Sequence, residues 1–385
     1  MKHSSHITLS RKALEQNIRY LRRRLGSGVE FTSVVKGNAY GHGIRPFIKL
    51  AESCLVRSFA VADAREADLA NEVLDDASRL MIMGMIDNAE LTWAVEEGIE
   101  FWIFELDRLE HAVAAARAVG RPARVHLEIE TGMNRTGLEK YEWEQAVELL
   151  RDNRAELRLR GLCTHYAGAE SVANYLRIQN QFYYFKEAVD FFAARGLVPD
   201  QLHTACSAAA LTYPHTRMNM VRFGIAQYGF WPSAETRMYN LLSDDTRFTV
   251  DPLRRVLSWK TQVMSIKHVQ PGQFVSYGTS FLANKKLKLA VVPVGYGHGF
   301  SRSLSNVGHV LVRGRKAPVR GFVNMNMFLV DVTQIPGVRK GDEVVLIGRQ
   351  KNQTISVSSF SDLAQYVNYE LLTRLPAEIP RVIVD

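Results

Sequence analysis

Phe31-Thr32-Ser33-Val34-Val35-Lys36-Gly37-Asn38-Ala39-Tyr40-Gly41-His42-Gly43 decides how this chain is read. The run Phe31–Val35 is a short apolar segment of the kind that lies inside a parallel sheet. It ends in a lysine, and small residues and glycines follow. Seven more runs of the same kind come after it: Ser58–Val61, Leu80–Met83, Phe101–Phe104, Arg124–Ile129, Leu159–Thr164, Leu202–Ala205 and Met220–Phe223. Amphipathic stretches lie between them, among them Arg65–Asn71, Leu106–Ala118, Tyr141–Arg151 and Asn174–Arg195. Strand then helix, eight times over, predicts an α/β fold of the (β/α)8 or TIM-barrel type. A doubly wound open sheet usually has fewer strands and a glycine-rich first turn, and no G-x-G-x-x-G follows the first run.

From about Asp245 the texture changes. Arg255–Val269, Lys286–Val294, Val307–Arg313, Phe328–Val332 and Glu343–Ile347 read as strands. Pro271-Gly272, Pro336-Gly337 and Lys340-Gly341-Asp342 separate them as turns. A mostly-β second domain with a short helix near Val357–Val367 is expected. The boundary falls between Pro232 and Asp251, which gives a barrel over 1–240 and a β-rich domain over 241–385.

The 385 residues suit two domains, at about 150 residues each. Three scattered cysteines, Cys54, Cys163 and Cys206, without a C-x-x-C pair, indicate neither a disulfide framework nor a zinc site, and no metal is expected. A reducing compartment, the cytoplasm, fits them. No apolar run of about 18 residues offers a membrane span, and Met1–Ser10 lacks a signal-like stretch. The net charge is +8 and the pI about 9.3. The densest basic run, Arg22–Arg24, closes a helix, where cations complement the dipole. Nucleic acid is therefore not an expected partner, and the positive charge suits small anionic ligands.

The carboxyl ends of barrel strands carry the chemistry, and here they are polar. Lys36 ends the first, Glu128 lies on the fifth ahead of Thr131–Arg135, and His165 ends the sixth. His203 lies on the seventh ahead of Ser207, and Arg222 on the eighth ahead of Gly224-Ile225. Singly, each has an ordinary reading as a solvated lysine, a core histidine, an ion-pair partner or a turn. Together they match an anionic carbonyl cofactor. A lysine at the end of an apolar strand is partly desolvated and suited to imine chemistry. Backbone N–H groups at a strand-to-helix turn suit a phosphate. Pyridoxal phosphate has both features.

Val34–Gly43 closely resembles the cofactor-lysine motif of bacterial alanine racemases. The resemblance continues at Thr131–Gly137, Thr164-His165, His203–Ala208, Val221–Ile225 and Tyr228-Gly229. In the second domain it runs through Val275–Gly278, Gly295-Tyr296, Met325-Asn326 and Asn368–Glu370. It implies racemisation of L- and D-alanine, supplying D-alanine for peptidoglycan, on pyridoxal 5′-phosphate. It also implies a homodimer with shared active sites. Lys36 and Tyr277 would be the two bases, Tyr277 reaching in from the second subunit. Arg222 would face the pyridine nitrogen with His203 supporting it, and His165 would lie near the ring. Tyr40, Ser207, Gly224, Ile225 and Tyr369 would hold the phosphate. Arg135, Tyr296 and Met325 would bind the small amino-acid substrate.

The chain departs from the family pattern in places. Glu128 stands where the family often has a carbamylated lysine, and would supply the same negative charge to Arg135 unmodified. Glu130, Asn324, Asn326 and Gly297-His298 replace common aspartate, cysteine, aspartate and Ala-Asp positions. The last three sites border the substrate entrance, so a racemase of serine or of a broader range of amino acids is the alternative. Decarboxylases of similar plan carry a Gly-Gly-Gly phosphate loop and a cross-subunit cysteine, neither of which is evident. Single-barrel carriers of the same cofactor lack the β domain.

Overall fold

The computed structural model describes residues 3–243, 251–357 and 368–385. It forms two compact units, one of Ala13–Gly37 and Ile48–Arg254, the other of Met1–Lys12, Asn38–Phe47 and Arg255–Asp385. Strand β1 (Ser5–Ser10) opens the chain and the helix Arg11–Leu25 follows, with Arg22, Arg23 and Arg24 in its last turn. Eight parallel strands come next: β2 (Glu30–Val34), β3 (Ser58–Val61), β4 (Arg79–Ile82), β5 (Glu100–Ile103), β6 (Ala123–Glu128), β7 (Leu157–Cys163), β8 (Gln201–His203) and β9 (Met220–Phe223). They pair in the order β8-β7-β6-β5-β4-β3-β2-β9. The gap between β8 and β9 is bridged where Cys206 faces Arg222 and the Arg222 amide donates to the Ala205 carbonyl at 3.1 Å. The result is a nearly closed barrel. All four residues of β3, β5 and β9 are buried, as expected of strands covered on both faces.

Five of these strands begin one residue earlier than the apolar runs suggest, at Glu30, Arg79, Glu100, Ala123 and Gln201. Three of those five first residues, Glu30, Arg79 and Glu100, are charged. They turn inward at the amino end of the barrel and pair there. Arg79 bonds Glu30, Gln201 Nε2 donates to Glu30 at 2.8 Å, and Arg160 Nε donates to Glu100 at 3.0 Å. Hydrophobic patterning does not register such residues, because pairing rather than apolarity makes their burial tolerable.

In the second unit β1 lies between β10 (Leu257–Gln262), antiparallel, and β18 (Arg381–Val384), parallel. Ile7 and Leu9 are fully buried while His6 faces out, the period-two pattern of a half-covered strand. The N-terminal segment, counted with the barrel on sequence, thus belongs to the β sheet. Arg255–Val269, expected as one strand, is two: β10 and β11 (Ser265–Val269). The reason lies in two neighbouring amides. Val263 donates to Asp342 at 2.8 Å and Met264 to Val291 at 2.8 Å, so the chain changes sheets between them. Strand β11 joins β12 (Leu287–Val292) and β15 (Phe328–Asp331). Strand β10 joins the larger sheet of β13 (His309–Val312), β14 (Arg315–Pro318), β16 (Glu343–Gln350) and β17 (Gln353–Ile355). Trp259, Phe300 and Phe328 are buried in this unit, and the last two rings stack at 4.3 Å. The helix expected near Val357–Val367 lies outside the described residues, as does part of the Pro232–Asp251 boundary. The compact units change over between Arg254 and Arg255.

Candidate active site

Lys36 follows β2 by one residue and starts the helical turn Lys36–Tyr40. That turn is left-handed, with φ of 63, 53, 53 and 50° at Gly37, Asn38, Ala39 and Tyr40. Side-chain-bearing residues adopt this conformation at a cost of about 1–2 kcal/mol each. Local bonds offset the cost. Asn38 accepts from Ile44 N at 3.0 Å through its side chain and from Gly43 N at 2.8 Å through its carbonyl. Ahead of the turn, Glu66 clamps Gly37 N at 2.6 Å and Ala62 N at 3.0 Å, tying the ends of β2 and β3 together. Gly41 cannot be another residue. Its φ is 79°, and a Cβ there would lie 1.9 Å from the Leu372 carbonyl oxygen.

The barrel unit brings several of the expected residues together. The Lys36 side chain keeps part of its surface exposed at the carboxyl end of the barrel, while the protein packed around its amine still desolvates it. Desolvation lowers its pKa, Arg135 and Arg222 lower it further, and Glu66 opposes them. His165 is held neutral, its pKa pushed down to about 3 by burial and by the charges of Arg222, Arg135 and Lys36. Arg222 is buried on β9. Its Nη1 donates to His203 Nδ1 at 2.5 Å and to the His203 carbonyl at 2.6 Å. Its Nη2 donates to the Thr164 carbonyl at 2.8 Å and reaches His165 Nδ1 at 3.5 Å. Ser207 Oγ accepts from Gly224 N at 3.1 Å, which joins the turns after β8 and β9, and Ile225 is buried beside it.

One expectation is corrected. Glu128 and Arg135 form no ion pair among the described residues. Glu128 accepts from Thr136 Oγ1 at 2.8 Å, while the Arg135 backbone N–H goes to Glu130 at 3.3 Å and its side chain is exposed. Desolvation raises the Glu128 pKa, outweighing the Thr136 bond and the charges of Arg135 and Arg222. The loop after β6 folds back so that Gly137 sits against the backbone of Glu130 and Ile129 bridges Leu138.

The remaining residues lie in the second unit. Tyr40 and Tyr369 meet edge to face at 6.3 Å. Tyr277 is 70% exposed and follows Ser276, whose hydroxyl bonds the Phe322 carbonyl at 2.9 Å and Asn324 Oδ1 at 3.1 Å. Tyr296 N bonds the Asn324 carbonyl at 3.0 Å and Gly297 N bonds Met325 at 2.9 Å, so Tyr296 and Met325 share one welded pair of loops. A Cβ at Gly295 would strike the Asn324 oxygen at 2.1 Å.

Sequence reasoning passed over Glu66, Thr136, His126 and Glu100. For His126 a signal existed. It lies two residues before Glu128 on β6, and period-two alternation puts both on one face.

The comparisons with known proteins agree along the whole chain. Residues 9–232 match the family described as alanine racemase, N-terminal domain, and residues 256–383 the alanine racemase C-terminal domain. An alanine racemase of Leptospira interrogans is 34% identical over 385 residues, covering 100% of this chain and 96% of the relative. One from Halothermothrix orenii is 36% identical over 380 residues, covering 96% and 93%. Among solved structures, the alanine racemase of Bacillus anthracis with bound L-Ala-P superposes with a TM-score of 0.88 at 29% identity, covering 100% and 96%. That of Streptomyces coelicolor A3(2) superposes with a TM-score of 0.88 at 32% identity, covering 99% and 98%.

Proposed function

This chain belongs to the alanine racemase family, and from that premise we propose that it interconverts L- and D-alanine on pyridoxal 5′-phosphate with one base on each face of the substrate. The observation that carries the reading is that one barrel sets Lys36 just past the end of β2 and, on the neighbouring strand β9, the buried Arg222, whose Nη2 reaches His165 Nδ1 at 3.5 Å. The residues fit the cofactor. A desolvated amine with lowered pKa is more often neutral and so able to bond a carbonyl carbon. A buried arginine has donors only, which suits an unprotonated ring nitrogen. Gly224 and Ile225, with Ser207, suit the phosphate, and the family resemblance assigns Tyr40 and Tyr369 to the same group.

When bound, the cofactor supplies the electron sink that acidifies the α-hydrogen of the amino acid. Lys36 then takes or returns a proton at the α-carbon on one face. Tyr277 of the partner subunit does so on the other, and its exposure on its own protomer supports that role. Inversion requires that the two bases stand on opposite sides. Arg135 holds the substrate carboxylate, and Tyr296 and Met325 confine a small side chain. His165 stays neutral beside the ring, so it adds no second positive charge there. The assembly is a twofold homodimer with composite sites.

Chiral chromatography of a panel of L-amino acids tests the reading. L-Alanine should equilibrate to a racemic mixture while L-serine and longer substrates lag. Retention of all-L material with added cofactor would refute it.

A further inference from the structure

Behind Arg222 the barrel interior holds a chain of hydrogen bonds that runs down to the amino end. His203 Nδ1 lies 2.5 Å from Arg222 Nη1, and His203 Nε2 lies 2.8 Å from His126 Nδ1. His126 Nε2 lies 3.0 Å from Glu100 Oε2, and Glu100 Oε1 accepts from Arg160 at 3.0 Å. His126 and His203 are fully buried and Glu100 is nearly so.

Elementary chemistry leaves this chain one arrangement of protons. A guanidinium only donates, so His203 Nδ1 must carry a lone pair. A neutral His203 then holds its proton on Nε2, and His126 Nδ1 must accept it. His126 in turn holds its proton on Nε2 and gives it to Glu100. A His126 protonated on Nδ1, whether neutral or cationic, would push the His203 proton onto Nδ1, against the N–H of Arg222. Glu100 anchors the far end because both neighbours, His126 and Arg160, donate to it. A carboxylate has acceptors on both oxygens for them, whereas an amide has one acceptor and one donor end.

We infer that His126 and Glu100 are positioning residues which, through His203, hold Arg222 in the orientation the reaction requires. The inference rests on the reading above, in which Arg222 meets the cofactor ring. Gly161 belongs to the same device. A Cβ at that position of β7 would lie 2.2 Å from His126 Nδ1 and 3.1 Å from His203 Nε2, within the hydrogen bond that joins the two rings.

NMR of the protein with isotopically labelled histidine ring nitrogens, with and without cofactor, locates the protons. The expected result is one proton on Nε2 of His126 and one on Nε2 of His203, both protected from exchange. A proton on Nδ1 of either ring overturns the inference, and no variant is needed to see it. Glu100→Gln and Gly161→Ala test the consequence. Each should lower kcat by about 10- to 100-fold, as sub-ångström misplacement of a site group does, with KM for alanine moving less than about threefold. Each should also shift the visible absorbance of the bound cofactor. A purely structural role would lower Tm while leaving kcat and absorbance unchanged well below melting, and that outcome also overturns the inference. If the wild-type protein bound no pyridoxal phosphate, the functional reading would fall. The proton positions, measured without cofactor, would still decide the relay.

Discussion

Glu128→Gln isolates the electrostatics of the loop after β6. The wild-type carboxylate is buried and, among the described residues, takes its hydrogen bond from Thr136 at 2.8 Å. Desolvation raises its pKa. An acid with a raised folded-state pKa ionises less readily folded than unfolded. Its charge therefore lowers stability above the folded pKa, and the loss disappears below the unfolded value of about 4.3. Glutamine keeps the shape and an oxygen for Thr136 but has no charge to desolvate. The variant should match or exceed wild type at about pH 8, by up to about 1 kcal/mol, and the difference should vanish toward about pH 4. Urea unfolding across that range gives the curve. Contact with Arg135 would reverse the sign. The folded pKa would be depressed, and the variant would be less stable near neutrality by about 1 kcal/mol or more, with the gap closing on acidification. That result refutes the reasoning. Kinetics give a second check. Without a direct Glu128–Arg135 bond, KM for alanine should move less than about threefold, whereas losing a contact to the substrate-holding arginine costs about tenfold, or 1.4 kcal/mol. Added bicarbonate should change neither parameter, since no lysine at this position awaits carbamylation.

Three further outcomes are expected. Borohydride reduction of the coloured protein should fix the label on the peptide containing Lys36, and Lys36→Ala should lose both label and activity; a label on another lysine displaces Lys36 from its role. Lys36→Ala and Tyr277→Phe chains, each weak alone, should regain part of wild-type activity when reassembled together, because one of the two composite sites in the mixed dimer is then intact. Heterodimers that form without recovering activity would place both bases on one chain. Gly41→Ala should destabilise the protein by at least about 3 kcal/mol in denaturant unfolding, since the added Cβ meets a backbone oxygen that cannot rotate away; a loss below about 1 kcal/mol would contradict the close approach of Gly41 to Leu372.

The eight strands, the change of texture near Asp245, and Lys36, His165, His203 and Arg222 at strand ends were legible in the order of residues. Each rests on local physics: an apolar run buries, a glycine-proline cluster turns, and a lysine after a buried strand stands at its carboxyl end. Family likeness added Tyr277, Tyr369 and the substrate residues, which no local pattern marks. Local patterning has less to say about charged residues that bury by pairing. It started β2, β4 and β5 one residue late, because Glu30, Arg79 and Glu100 look like solvated flanks until their partners are known.

Only the tertiary structure decided those partners. Arg222 meets His203 across 19 residues, His203 meets His126 across 77, and His126 meets Glu100 across 26. Such meetings depend on the register and closure of the barrel, and a shift of one residue in any strand would turn the side chain to the other face. The same holds for β1. Its six residues alternate in a way that suits any half-buried sheet, and pairing with β10 and β18 placed it in the β unit. Glu128 shows the limit most plainly. Its charge and its place on β6 follow from sequence, but that Thr136 bonds its carboxylate while the Arg135 side chain stands exposed was decided by the folded loop.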